Sequence, residues 1–69
     1  MTLRERVAKN IIDCRKSVGL NQENLARRAG LSRAYVGKIE DARFSVTIDT
    51  IEKIAHALDV DADVLFEPR

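Results

Sequence analysis

Tryptophan is absent from this sequence, and cysteine, proline, histidine and tyrosine occur once each. The lone cysteine, Cys14, excludes an internal disulfide, so a chain of 69 residues must rely on its core or on association with a partner. Domains of this size bury only about 60% of their unfolded surface, which makes self-association a natural remedy. Cys14 itself falls on an apolar stripe and reads as a small buried hydrophobe in a reducing compartment. No apolar run approaches the roughly 20 residues that span a bilayer, and no signal peptide is recognisable, so a cytoplasmic protein without membrane contact is expected. A Ser/His/Asp set and a phosphate-cradling glycine loop are also missing, and so short a chain has no room for a sizeable pocket. An enzyme is therefore not expected. Nor is a metal or cofactor: His56 shares the polar side of a helix with Glu52 and Asp59, and ligation needs several convergent donors.

What is present suits a single small domain over residues 1–69, with 45% hydrophobic and 33% charged residues. The net charge of +1 hides an uneven distribution. Residues 1–43 hold ten basic side chains against five acidic ones, whereas residues 44–69 hold two basic against six acidic. The first part is thus at +5 and the second at −4, a polarity that suits one face offered to a polyanion and another to a different partner.

Apolar spacing predicts five helices and no strand. Leu3, Val7, Ile11, Cys14 and Val18 recur on one helix face, and Gly19 supplies a stop. Asn21 caps a second helix, "QENLARRA", with Leu25, Ala26 and Ala29 inward. Gly30 breaks it, and Ser32 caps a third helix with Val36 and Ile39 inward and Tyr35 beside them. "DARFSV" connects to a fourth helix, capped by Thr47 and striped by Ile48, Ile51, Ile54, Ala55 and Leu58. Asp59 ends that helix in a left-handed conformation. Asp61 caps a last turn or two, with Val64, Leu65 and Phe66 packing back before Pro68.

The second and third helices are separated by only a few residues around Gly30. So tight a turn holds two helices at a steep angle, with small residues where they cross. Ala26 leaves room at the crossing, and Val36 and Ile39 pin the third helix inward. Arg33, Ala34, Gly37 and Lys38 are then left on its free face.

With "NQENLA", "AGLS…Y", "KIE" and "IEKIAHAL" in this order and spacing, the chain resembles the repressor/Cro-type (XRE) helix-turn-helix family from about Val7 to Phe66. The resemblance implies an all-α, five-helix, lambda-repressor-like DNA-binding domain. Its helix-turn-helix would occupy about residues 22–41 and its dimerisation part about residues 44–69. It further implies a homodimer on palindromic double-stranded operator DNA. Arg33, Ala34, Tyr35 and Lys38 become the expected base-reading residues, and Asn21, Gln22, Ser32 and Arg43 the expected phosphate contacts. Arg15 and Glu40 match a charged pair that ties the first helix to the third in some members. Arg27 and Arg28 read as a solvated helix face, with phosphate contact the alternative.

The chain departs from the family pattern at several points. Ala42-Arg43 stands where Gly-Lys is usual, Val46 replaces a common proline, and Gly37 replaces a larger polar residue. Phe44 and Ile12 are apolar where polar residues are usual. Phe44, Val46, Val60, Val64 and Phe66 are accordingly the expected dimer interface.

The expected function is a sequence-specific, homodimeric transcription regulator, with a restriction–modification controller or a small phage-type repressor fitting the absence of a sensor domain. The alternative is an antitoxin-type interaction module, whose Phe44, Val46 and C-terminal surface would dock a toxin while it autoregulates its operon. Gly37 sets a further expectation, that a missing side chain lets the third helix approach DNA closely.

Overall fold

The computed structural model describes all 69 residues and contains four α-helices, α1 (Leu3–Ser17), α2 (Gln22–Ala29), α3 (Arg33–Glu40) and α4 (Ile48–Leu58), followed by a 3-10 helix, Ala62–Phe66. The fold is all-α, but the fifth α-helix expected from the sequence is only this five-residue 3-10 segment. The physical reason is local. Asp61 makes no side-chain capping bond to it, Pro68 follows closely, and a single turn does not recover the cost of helix nucleation. The segment is held from outside instead. The Asn10 amide on α1, almost fully buried, donates to the carbonyls of Leu65 (2.9 Å) and Glu67 (3.0 Å). Arg69 donates in turn to Asn10 Oδ1 (2.8 Å) and Asp13 (2.7 Å).

All four α-helices start on a side-chain cap. Asn21, Ser32 and Thr47 accept from the amides of Asn24, Tyr35 and Thr50, as expected. Thr2 adds a cap the apolar pattern does not reveal. Its hydroxyl accepts from Glu5 N–H while the Glu5 carboxylate accepts from Thr2 N–H, a capping box. The Thr2 N–H, with the Thr2 hydroxyl beside it, holds the Glu5 carboxyl below its ordinary pKa.

All four also end the same way. The chain folds back so that two successive amides bond the last open carbonyls, through Gly19/Leu20, Gly30/Leu31, Ala42/Arg43 and Asp59/Val60. The closure requires a left-handed residue at its first position. Gly19 and Gly30 adopt it freely, whereas Ala42 (φ 58°) and Asp59 (φ 57°) hold it despite a Cβ. Asp59 fulfils the sequence expectation, and Ala42 shows that the usual backbone survives the loss of glycine.

The core joins Val7 and Ile11 of α1, Leu25 and Ala26 of α2, Val36 and Ile39 of α3, Ile51, Ile54 and Leu58 of α4, and Leu65. Cutting back any of the fully buried Ile11, Leu25, Ile39, Ile54 or Leu65 to alanine would cost about 2–5 kcal/mol. The predicted stripes overreach at their ends. Leu3, Val18 and Ile48 are 54%, 52% and 85% exposed, because each lies at a helix terminus beyond the helix crossings. Cys14 is half-buried, and burial pushes its thiol pKa up, which leaves it a poor nucleophile.

Candidate nucleic-acid interface

The left-handed Gly30 turns the chain within a few residues from the end of α2 into the Ser32 cap of α3. Ala26, 2% exposed, has too small a side chain to obstruct the crossing, and Val36 and Ile39, each 1% exposed, seat α3 on the core. Arg33, Ala34 and Lys38 remain exposed on the opposite side, and Tyr35 is half-buried against the core. Neither Arg33 nor Lys38 has a carboxylate partner within the chain.

Three helices meet under this surface at a buried carboxylate. Glu40, its side chain 3% exposed, accepts from Arg15 Nε (2.7 Å) and Nη2 (2.9 Å), and Gln22 Nε2 donates to it at 2.9 Å. Arg15 Nη1 also donates to the carbonyl of Leu20 (3.0 Å). The Arg15–Glu40 pair implied by the family resemblance is therefore present. The hydrogen bonds that Arg15 donates to Glu40, opposed by partial burial, raise the guanidinium pKa above its ordinary value. A charge pair this deep is tolerable because no buried side-chain polar atom is left without a partner. The bond from Gln22 also ties the start of α2 to the end of α3.

The residues expected at phosphates keep hydrogen-bonding capacity of their own. Asn21 and Ser32 spend an acceptor on capping and keep their own donors. Gln22 keeps one amide hydrogen beyond the bond to Glu40. Arg43 is paired only loosely, at 3.8 Å, with Asp41, and both side chains are exposed. Arg27 pairs with Glu23 one turn back at 3.5 Å, in keeping with a solvated face.

Gly37 lies one turn on from Arg33, on the side of α3 away from Val36 and Ile39. It is half-buried, and an added Cβ would meet Gln22 Oε1 at 3.8 Å, an ordinary contact. The Gln22 side chain is the one neighbour of that position, so an added methyl would fit without displacing anything within the chain.

The residues expected at a dimer interface separate into groups. Val46 and Phe66 line an apolar cleft of about 310 Å³, together with Leu3, Val7, Ile39, Ile48 and Ile51. Across the cleft rim Arg4 Nη2 donates to Ser45 Oγ at 2.8 Å. Leu3 and Ile48, which sequence reasoning assigned to inner stripes, form its exposed edge. Val60 lies at the far end of α4, beside His56, Asp59 and Asp61, and Val64 is half-buried. Phe44 does not line the cleft. Its ring lies 5.2 Å from Lys38 Nζ, next to the α3 surface. An apolar residue where the family has a polar one was the only sequence signal of that contact.

Comparison with known proteins agrees with this architecture. A Neisseria hypothetical transcription factor from Neisseria meningitidis serogroup B is 42% identical over 66 residues, covering 96% of this chain and 62% of that protein. The chain thus spans less than two thirds of that relative's length. The control protein C.SmaI of Serratia marcescens is 38% identical over 58 residues, covering 84% of this chain and 69% of the relative. Among solved structures, the restriction-modification controller protein C.AhdI from Aeromonas hydrophila superposes with a TM-score of 0.89 at 36% identity, covering 91% of this chain and 96% of that one. Residues 11–65, which include the α2–turn–α3 unit and its buried supports, match the family HTH_3, described as helix-turn-helix. The chain belongs to the HTH_3 helix-turn-helix family.

Proposed function

We infer that this chain is a transcription regulator that binds double-stranded DNA, reading sequence with the exposed face of α3. The observation that carries the reading is that Arg33 and Lys38 stand on a rigidly seated short helix with no internal ion-pair partner. A helix of 8 residues is about 12 Å long, short enough to present its first turns within a major groove about 12 Å wide. Arg33 reads a base edge, Ala34 meets a thymine methyl, and Tyr35 and Lys38 reach neighbouring bases or phosphate. Asn21, Gln22, Ser32 and Arg43 hold the flanking phosphates, aided by the amides at the start of α2.

The same reading makes the protein a homodimer acting in the cytoplasm on a palindromic operator. One α3 covers only a few base pairs, and a two-fold pair of them about 34 Å apart would read two half-sites. The cleft bounded by Leu3, Val46, Ile48 and Phe66 supports association, since exposed apolar side chains cluster there. A controller of restriction–modification genes or a small repressor is the form of regulation this design suits, and the names of the control protein C.SmaI and of C.AhdI favour it. The toxin-docking alternative is not favoured by these relatives.

Selection of bound duplexes from random DNA, followed by footprinting, tests the proposal. The expected outcome is a pseudo-palindrome protected by a dimer. Recovery of no preferred sequence, with equal affinity for all duplexes, overturns it.

A further inference from the structure

Lys38 sits near the end of α3 and Phe44 lies beyond it in the loop, yet the two side chains meet, and the chain's own folding explains why. Asp41 N–H bonds to Gly37 O, Ala42 N–H to Ile39 O and Arg43 N–H to Lys38 O, so the backbone reverses through left-handed Ala42. The reversal returns Arg43 to the level of Lys38 and brings the next residue, Phe44, beside the Lys38 side chain. Phe44 is 46% exposed and does not line the apolar cleft, and the Lys38 ammonium lies 5.2 Å from its ring centroid. No carboxylate of the chain lies within salt-bridge distance of that ammonium. The ring face is thus the partner that restrains an otherwise mobile four-carbon side chain.

We propose that Phe44 is a positioning residue for DNA readout: its ring holds the Lys38 ammonium toward the major groove, so base preference at the Lys38 position depends on Phe44. This rests on the reading that α3 faces DNA. A free lysine loses rotamer freedom when it docks, and a lysine already restrained over a ring loses less. The electrostatic attraction of the ring also fixes its direction without neutralising its charge, which a carboxylate in the same place would do.

The test uses the full chain and a duplex recovered by selection from random DNA. In the free protein, the Lys38 ε-methylene protons should resonate upfield of those of Lys9, Lys16 and Lys53, and Phe44→Leu should abolish that shift. Coincident lysine resonances in the wild type overturn the contact whatever the DNA result. In fluorescence anisotropy, Phe44→Leu should weaken binding about two- to fivefold. It should also relax the same single half-site position that Lys38→Gln relaxes, while Phe44→Tyr retains both affinity and preference. Phe44→Leu added to Lys38→Gln should produce little further loss. Additive losses, or an even loss over all sequences, overturn the proposal while leaving DNA binding intact. A Phe44→Leu protein that binds DNA normally but no longer dimerises in sedimentation also overturns it, and assigns Phe44 to a protein interface. A wild-type chain that selects no duplex overturns the DNA reading itself, and this proposal with it.

Discussion

The outer face of α3 and the cleft between α1 and α4 are both left uncovered, by opposite means. The α3 face is polar, and a buried network around Glu40 ties the helix that carries its exposed cations to α1 and α2. The cleft is apolar, and the residues on its edge are helix termini and a loop, with Ile48 85% exposed. Exposed cations cost little in water, whereas an exposed isoleucine forgoes burial that a partner would restore. The contrast teaches that polar groups are satisfied beneath the α3 face, while apolar area stays in water at the cleft. The uneven charge of the sequence follows the same division, since the α2–α3 unit belongs to the basic part of the chain and α4 to the acidic part.

The largest effect should come from removing the base of the polar side. Glu40→Ala strands Arg15, 11% exposed, without its partner and should cost about 3–5 kcal/mol in urea unfolding. A loss below about 1 kcal/mol would show that the network does not support α3. Arg33→Ala, at an exposed position, should leave stability within about 0.5 kcal/mol. In selection and anisotropy it should cost about 1–3 kcal/mol of discrimination at one base of each half-site. Equal weakening on operator and random duplexes would move Arg33 from base reading to the phosphate backbone.

Ile48→Asp probes the other surface. The monomer should fold as before, and sedimentation should show dimerisation weakened by at least about tenfold, or about 1.4 kcal/mol, with DNA affinity falling alongside it. Unchanged dimerisation would place the interface outside the cleft. The smallest effects concern the backbone. Ala42→Gly relieves a left-handed alanine and should raise stability by about 1 kcal/mol. Gly37→Ala should stabilise α3 by up to about 1 kcal/mol and leave DNA binding unchanged, since the new methyl meets only the Gln22 amide. Weaker binding with better folding would restore the close-approach idea.

Much of this molecule was legible from spacing. The stops at Gly19, Gly30 and Asp59, the caps at Asn21, Ser32 and Thr47, and the inward set of α2 and α3 are properties of a few consecutive residues. The free face of α3 followed from them, because once Val36 and Ile39 face inward, Arg33 and Lys38 cannot. The contact between Gly37 and Gln22 was not legible, because Gln22 lies 15 positions earlier on another helix. The last helix was overestimated because its stability comes from Asn10, more than 50 positions away, and from no cap of its own.

By itself the sequence determined the helix-turn-helix, its family and the placing of basic residues along it, since periodicity, capping and turn chemistry act within about one helical turn. Tertiary structure decided which apolar residues stay exposed, which helices Glu40 joins, and where Phe44 and Lys38 meet. Those outcomes depend on where helix ends fall relative to their crossings and on how each chain reversal aims the next segment. Such long-range geometry leaves no periodic trace in the order of the residues.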